Sequence, residues 1–381
     1  MPELHGQRYT RTRLQQLAGR LDQVAGIRLL TLGDGAERGV RILEFRTGSG
    51  FAFDVLVDRA FDIGHCELGG KSLAWESAVG VAGPWYYEPE GLGFLRNFGG
   101  GLLTTGGLDH ALFMAEDTAE QYHYPPKQSE RYGLHGRISN RPATLRGYGE
   151  RWEGDECVLW ARGDVLQASV FGEQLLLRRT IEAHVGESRF NICDEVENVG
   201  HTLTPHMLLY HVNVGWPIVD DGSELLLPVT AAIARDDQDL EGYRVLRAPQ
   251  KDFVEQVFEH RLASEPDGRV PVGIVNRRLG MGAYEIFNSR QLPHHFVWRM
   301  LGAGTYVVGI EPCTNRVEGR LDARARGELI ELGPSEGRIY ELELGALDGS
   351  SQIEAFASRI TELAGTVGTQ TPESRSRPPA G

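Results

Sequence analysis

The sequence is poor in several things that would place it quickly. No run of 18 apolar residues occurs in its 381 residues, so nothing in it reads as a membrane-spanning helix. Its four cysteines, Cys66, Cys157, Cys193 and Cys313, are scattered and form no CxxC pair. That argues against a disulfide framework or a zinc site, and no metal is expected. Basic residues are outnumbered, 39 Lys and Arg against 53 Asp and Glu, giving a net charge of −14. Nucleic acids select basic faces and are excluded as partners on that ground. The opening residues Met1–His5 lack the basic and then apolar pattern of a signal peptide. A reducing cytoplasm is therefore the expected compartment. There is no convincing internal repeat, and no Pro/Ser-rich linker in the middle of the chain.

What is present is enough apolar residue, 41%, to build a substantial core, together with 48 glycines. In a chain without low-complexity repeats, that many glycines suggest frequent turns between short strands. The length allows roughly one to three domains. Residues 8–26 read as a helix, because Leu14, Leu17, Leu21 and Val24 recur at spacings of three and four. Residues 1–28 are accordingly expected to form a helical arm that caps or clasps the main body.

From about residue 27 the apolar period becomes two. Residues 40–63 give strands broken at Thr47–Gly50, a hairpin-like turn. Residues 156–200 read as a meander with turns at Gly163-Asp164, Gly172-Glu173, Gly186-Glu187 and Gly200. Within it Phe190, Ile192 and Val196 share one face, while Asn191, Cys193, Glu195 and Glu197 share the other. Strands at intervals of about 8–12 residues predict an all-β sandwich or barrel. Residues 29–364 are expected to form one domain, and residues 365–381 have the composition of a disordered tail.

Three segments carry candidate chemistry. In Tyr132–Arg137 (YGLHGR), His135 sits among small residues on a turn or strand edge, where its ring either faces a cleft or bonds backbone. In Pro205–Pro217 (PHMLLYHVNVGWP), strand parity puts Leu208, Tyr210, Val212 and Val214 on one face and His211, Asn213 and Gly215 on the other. His206 falls on the opposite parity from His211 and is read as structural. In Tyr306–Asn315 (YVVGIEPCTN), Val307, Gly309 and Glu311 share a face. A carboxylate there is costly to bury unless it is paired or used. Pro312 is expected to stop that strand and leave Glu311 at the sheet rim, either as a functional group or in a salt bridge.

Val57–Gly64 (VDRAFDIG) places Arg59 and Asp62 beside a turn or strand end. They either form a loop-fixing ion pair or, with Arg96 and Arg137, a basic spot. Of the tryptophans Trp75, Trp85, Trp216 and Trp298, most are expected in the core, although any could stack on a sugar face. The stretch Phe98–Leu108 (FGGGLLTTGGL) has neither the lysine of a phosphate loop nor GxGxxG spacing. It reads as a tight strand–turn approach near a cleft, and no nucleotide or other cofactor is expected.

Taken in order, these segments resemble the galactose-mutarotase-like superfamily, most closely its aldose-1-epimerase-related branch known only as a domain of unknown function. Leu134-His135-Gly136 is similar to its LHG motif, His211–Gly215 to its second histidine strand, and Gly309–Pro312 to its Glu-Pro strand. Leu177–Ile181 through Val196–Gly200, Asp58–Ile63 and Phe98–Leu108 are similar to further motifs of these sandwiches. The resemblance runs from about residue 27 to 347.

It implies a large antiparallel β-supersandwich with an open sugar-binding face. It also implies an aldose 1-epimerase in which Glu311 is the general base, His211 the general acid and His135 a helper near the ring oxygen. Glu311 would then be ionised and His211 protonated. Arg59, Asp62, Arg137, Asn213 and Trp298 are the expected substrate-binding residues. The partner would be a monosaccharide or a derivative, bound by a monomer or homodimer. The family's Asp between the second His and the Glu, which holds a sugar hydroxyl, has no evident counterpart in the sequence. A hexose-phosphate epimerase and a non-catalytic carbohydrate-binding sandwich are the rival readings. A glycosidase lacks a second carboxylate in a matching motif, since Asp220-Asp221 reads as a loop.

Overall fold

A computed structural model describes residues 1–235 and 238–365. Two antiparallel sheets pack face to face. One runs, in spatial order, through strands Thr144–Glu153, Glu156–Ala168, Gln174–His184, Arg189–Asn198, Gly337–Asp348, Met281–Asn288, Arg269–Asn276 and Glu224–Leu226. The other runs through Val229–Ala234, Gln256–Leu262, His294–Gly302, Thr305–Cys313, Thr204–Gly215, Leu103–Leu108, Asp62–Leu68, Phe51–Leu56, Arg41–Arg46 and Gly26–Thr31. The expected supersandwich is the observed architecture. No helix among the described residues is long and apolar enough to cross a membrane.

Alternation builds the core. Phe190, Ile192 and Val196 turn inward and Asn191, Cys193 and Glu195 outward, as parity requires. Leu208, Tyr210, Val212 and Val214 from one sheet meet Leu175, Leu177 and Ile181 from the other in a single apolar cluster. An inter-sheet polar bolt crosses that cluster. Arg179, with no exposed surface, donates to both oxygens of Asp194 at 2.8 and 2.6 Å and to Asp62 at 2.7 Å. Thr105 Oγ1 accepts from Arg179 and donates to Asp62, while the Tyr210 hydroxyl donates to Asp194 at 2.6 Å. Burial pulls the Arg179 pKa down, but Asp194 and Asp62 outweigh it and the net shift is upward, so the guanidinium stays charged.

Several local expectations are corrected. The helix over 8–26 shrinks to Arg11–Leu17, capped by Thr10 Oγ1, with a separate single turn at Leu21–Gln23. The break falls at Ala18-Gly19, where the chain turns extended, and glycine is a poor helix residue. Leu14 is buried, Leu17 is exposed, and Leu21 and Val24 pack at the core's edge. The arm is not wholly separate from the body, because the strand Gly26–Thr31 starts inside it.

Gly163-Asp164 is no turn. It lies within the Glu156–Ala168 strand, where a side chain at 163 would strike the Phe61 ring. The helix Gly349–Gly365 lies beyond the last strand and packs Ile353, Phe356 and Ile360 against Val275 and Leu347. Of the expected tail, residues 366–381 lie outside the described residues.

Candidate active site

The strands Thr204–Gly215 and Thr305–Cys313 are neighbours in the larger sheet, with Val212 paired to Ile310 and Asn213 to Gly309. This register puts the outward-facing His211 and Glu311 side by side. His211 Nε2 lies 3.3 Å from Glu311 Oε1. The carboxyl folds back over Gly309, where any Cβ would collide with Glu311 Oε1 and press on His211 Cε1. Glu311 does not stand at a lateral rim. Its strand sits between two others and continues through Pro312, which pairs with His295, to Cys313.

His135 reaches the same place from a loop. Its backbone is left-handed, with φ 55°, and its N–H donates to Leu112 O while its carbonyl accepts from Gly107 N–H. Gly136 is wedged so closely against the carbonyls of His110 and Gly107 that no side chain would fit there. The glycine-rich segment is thus the tight strand–turn approach that straps the histidine loop to the sheet. The His135 and His211 rings stand edge to face, 5.5 Å apart, and Phe94 and Phe98 pack on them at 5.1 and 5.4 Å.

These three residues line a cavity of about 520 Å³ together with Trp298, Trp75, Arg235 and Glu255. Fourteen of its 21 lining residues are apolar, which sets the electrostatics. Burial pushes the Glu311 carboxyl up to about 8; Glu255 adds to the shift and Arg235 opposes it. Burial also pulls His211 down to about 4, against a smaller opposing effect from Asn213. His135 is held well below its ordinary value by burial, with His211 and His110 contributing.

Near neutral pH, Glu311 is therefore protonated and His211 neutral. This reverses the charged pair expected from the sequence, because desolvation outweighs the mutual attraction. Glu311 Oε1, His211 Nδ1 and His135 Nδ1 are all buried without a hydrogen-bond partner.

Trp298 is brought to the cavity, but four expected binding residues are not. Arg59 donates to the carbonyls of Ser139, Ala82 and Asn97 and holds loops together. Asp62 belongs to the Arg179 bolt. Asn213 bonds the carbonyls of Gly101 and His211, and Arg137 pairs with Glu173. Arg96 pairs with Glu88 at the surface, so no basic spot forms. Trp85 and Trp216 are mostly exposed rather than core residues. His206 is structural as expected, bonded to Leu108 O and the Tyr340 hydroxyl. Asp220 pairs with Arg278, outside the cavity.

Sequence reasoning missed Arg235 and Glu255. They pair with each other at 2.9 Å, and the Trp298 indole N–H donates to Glu255 at 3.0 Å. Neither sits in a motif; only their position between the His211 and Glu311 strands could have drawn attention. Glu255 is also the second cavity carboxyl that the sequence did not display.

Residues 37–346 match the family model described as domain of unknown function DUF4432. The chain belongs to that family. No curated protein matches its sequence. Among solved structures, this DUF4432 chain is similar to a Klebsiella pneumoniae protein provisionally assigned as an aldose 1-epimerase. The TM-score is 0.84 at 23% identity, over 95% of this chain and 94% of that one. It is also similar to a galactose 1-epimerase from Lactobacillus acidophilus, with TM-score 0.56 and 14% identity over 85% and 99% of the two chains. A galactose mutarotase-like protein from Clostridium acetobutylicum gives 0.55 and 14% over 84% and 98%. At these identities the likeness establishes the fold, which is galactose mutarotase-like.

Proposed function

We propose that this DUF4432 protein is an aldose 1-epimerase that interconverts the anomers of a reducing sugar. The observation that carries the reading is the His211–Glu311 contact: a buried imidazole and carboxyl, 3.3 Å apart and with unpaired atoms, at the floor of a cavity large enough for a sugar. Natural cores satisfy almost all such groups, so orphaned ones mark a place where something else binds.

Mutarotation needs one proton taken from the anomeric hydroxyl and one delivered to the ring oxygen. The ring then opens, the C1–C2 bond rotates, and reclosure reverses both transfers. The pair holds one transferable proton at neutral pH. Passing it from Glu311 to His211 leaves the net charge unchanged, so sugar hydroxyls that solvate both groups favour the carboxylate–imidazolium form. Glu311 then takes the anomeric proton and His211 protonates the ring oxygen, each at hydrogen-bonding reach. His135, edge-on to His211, stands near the ring oxygen. Trp298 offers a stacking face.

Glu255 falls between His211 and Glu311 in the sequence and lines the cavity, so it is the candidate for the carboxyl that holds a sugar hydroxyl. A phosphate would need a basic spot, and Arg59, Arg96 and Arg137 are all committed elsewhere. That removes the support for a hexose-phosphate substrate.

Anomer exchange followed by NMR across a panel of free sugars tests the reading. Glu311→Gln and His211→Asn should each lower kcat by about 100- to 10,000-fold on the best substrate. Full activity in either variant, or sugar binding with no acceleration, would refute it.

A further inference from the structure

We infer that the substrate is a neutral reducing sugar carrying an apolar substituent at the end remote from C1, such as a 6-deoxy or O-methyl aldose. The inference rests on the mutarotase reading and concerns the identity of the sugar. Three observations converge on it.

The cavity has a direction. Glu311 and His211, 5% and 6% exposed, form its floor, whereas Leu92, Leu95 and Phe113, 49%, 50% and 42% exposed, form its mouth. A sugar whose C1 meets the pair must leave its far end among the mouth residues.

The mouth is also lined mainly by apolar side chains. Of the seven polar lining residues, His135, His211 and Glu311 surround the reacting end. Glu255, the candidate for a ring hydroxyl, is paired with Arg235, which stacks over the Phe113 ring; the Ser77 hydroxyl is spent on Phe98 O, and Thr305 is the seventh. A hydroxymethyl group placed among Leu92, Leu95 and Phe113 would lose water and gain no side-chain partner, which is expensive. A methyl group would bury at a gain.

Finally, a volume of about 520 Å³ lies in the range that accommodates drug-sized ligands, leaving space beyond a bare pyranose ring. Charge points the same way, because the one cavity arginine already has Glu255 beside it.

The test uses the full chain and matched sugars in both the gluco and galacto series: parent hexose, 6-deoxy, 6-O-methyl and 6-phosphate, read by NMR anomer exchange. In at least one series the 6-deoxy or 6-O-methyl sugar should exceed its parent about tenfold in kcat/KM, the range that one apolar group commands in a complementary pocket. The 6-phosphate should fall below the parent. Leu95→Gln should narrow the deoxy-to-parent ratio several-fold.

Parent sugars matching or beating their apolar analogues in both series, or a ratio unmoved by Leu95→Gln, would overturn the inference and leave the mutarotase reading standing. If no sugar's exchange is accelerated, the catalytic reading fails instead. Ligand-observed NMR binding of the same pairs then decides the present inference: tighter binding of the apolar analogue upholds it, and equal binding overturns it.

Discussion

Tyr210 and His211 are consecutive residues of one strand, and they face two different kinds of interior. Tyr210 points into the sandwich and closes the bolt of Arg179, Asp62, Asp194 and Thr105, where one guanidinium serves two carboxylates and donors meet acceptors at 2.5–2.9 Å. His211 points the other way, to a carboxyl that is equally buried but held protonated, with atoms on both groups unpaired. Both sets of side chains are buried. One spends its polar groups on itself and fixes how the sheets meet. The other keeps them unspent, which costs stability and leaves them available to a ligand.

The contrast breaks most sharply at Arg179. Arg179→Met leaves Asp62 and Asp194 buried without their cation and should cost about 3–5 kcal/mol in urea unfolding. A loss below about 1 kcal/mol would show that the bolt is not dry.

The opposite sign is expected at Glu311. Its folded pKa of about 8 exceeds the ordinary 4.5, so its contribution to stability is whole below 4.5 and lost as pH rises towards 8. Keeping it protonated at pH 7 costs about 3 kcal/mol, at about 1.4 kcal/mol per pH unit. Glu311→Gln, neutral throughout, should therefore be more stable than the parent by up to that amount at pH 7 and no different at pH 4. Equal stability at both pH values would remove the claim of strain.

Gly309 sharpens the comparison next. Gly309→Ala should displace the Glu311 carboxyl and cut kcat about 100-fold, since a shift near 1 Å at a reacting group has that effect. KM should change little, and the unfolding curve should remain cooperative. A fall in kcat that vanishes once the rate is normalised to folded protein would make the glycine merely structural.

The pH profile follows. Below about 4 both His211 and Glu311 carry protons and no base remains; above about 8 neither does and no acid remains. The kcat/KM should be bell-shaped, with limbs near these values that belong to the pair rather than to either residue. A single limb near 6.5 would mean a solvated histidine instead. The smallest effect is expected at Arg137. Arg137→Ala should leave kcat/KM unchanged, because the guanidinium meets Glu173 outside the cavity; a raised KM would return it to the site.

Strand parity read from the sequence separated His211 and Glu311 from the core correctly, because a period of two has only two faces. It could not say how Arg59, Asp62 and Asn213 are used. Those residues are polar and sit in or beside strands, yet each satisfies backbone or a partner from another strand. Glu255 and Arg235 were invisible for the converse reason: nothing local distinguishes them, and only the pairing of Gln256–Leu262 with His294–Gly302 carries that segment to Trp298. Similarly, Gly163 looks like a turn residue until Phe61 arrives from the turn that precedes the strand Asp62–Leu68 of the opposite sheet.

The sequence by itself determined the all-β class, the inward and outward faces of the strands Arg189–Asn198, Thr204–Gly215 and Thr305–Cys313, and the family to which its ordered His135, His211 and Glu311 motifs belong. Those follow from local chemistry: alternation, turn residues and short motifs. Tertiary structure decided the ionisation of the pair, the commitment of the arginines, and the apolar character of the cavity mouth. A pKa depends on the water that is removed, and a polar side chain's role depends on which partner reaches it, and both are set by residues distant in the chain.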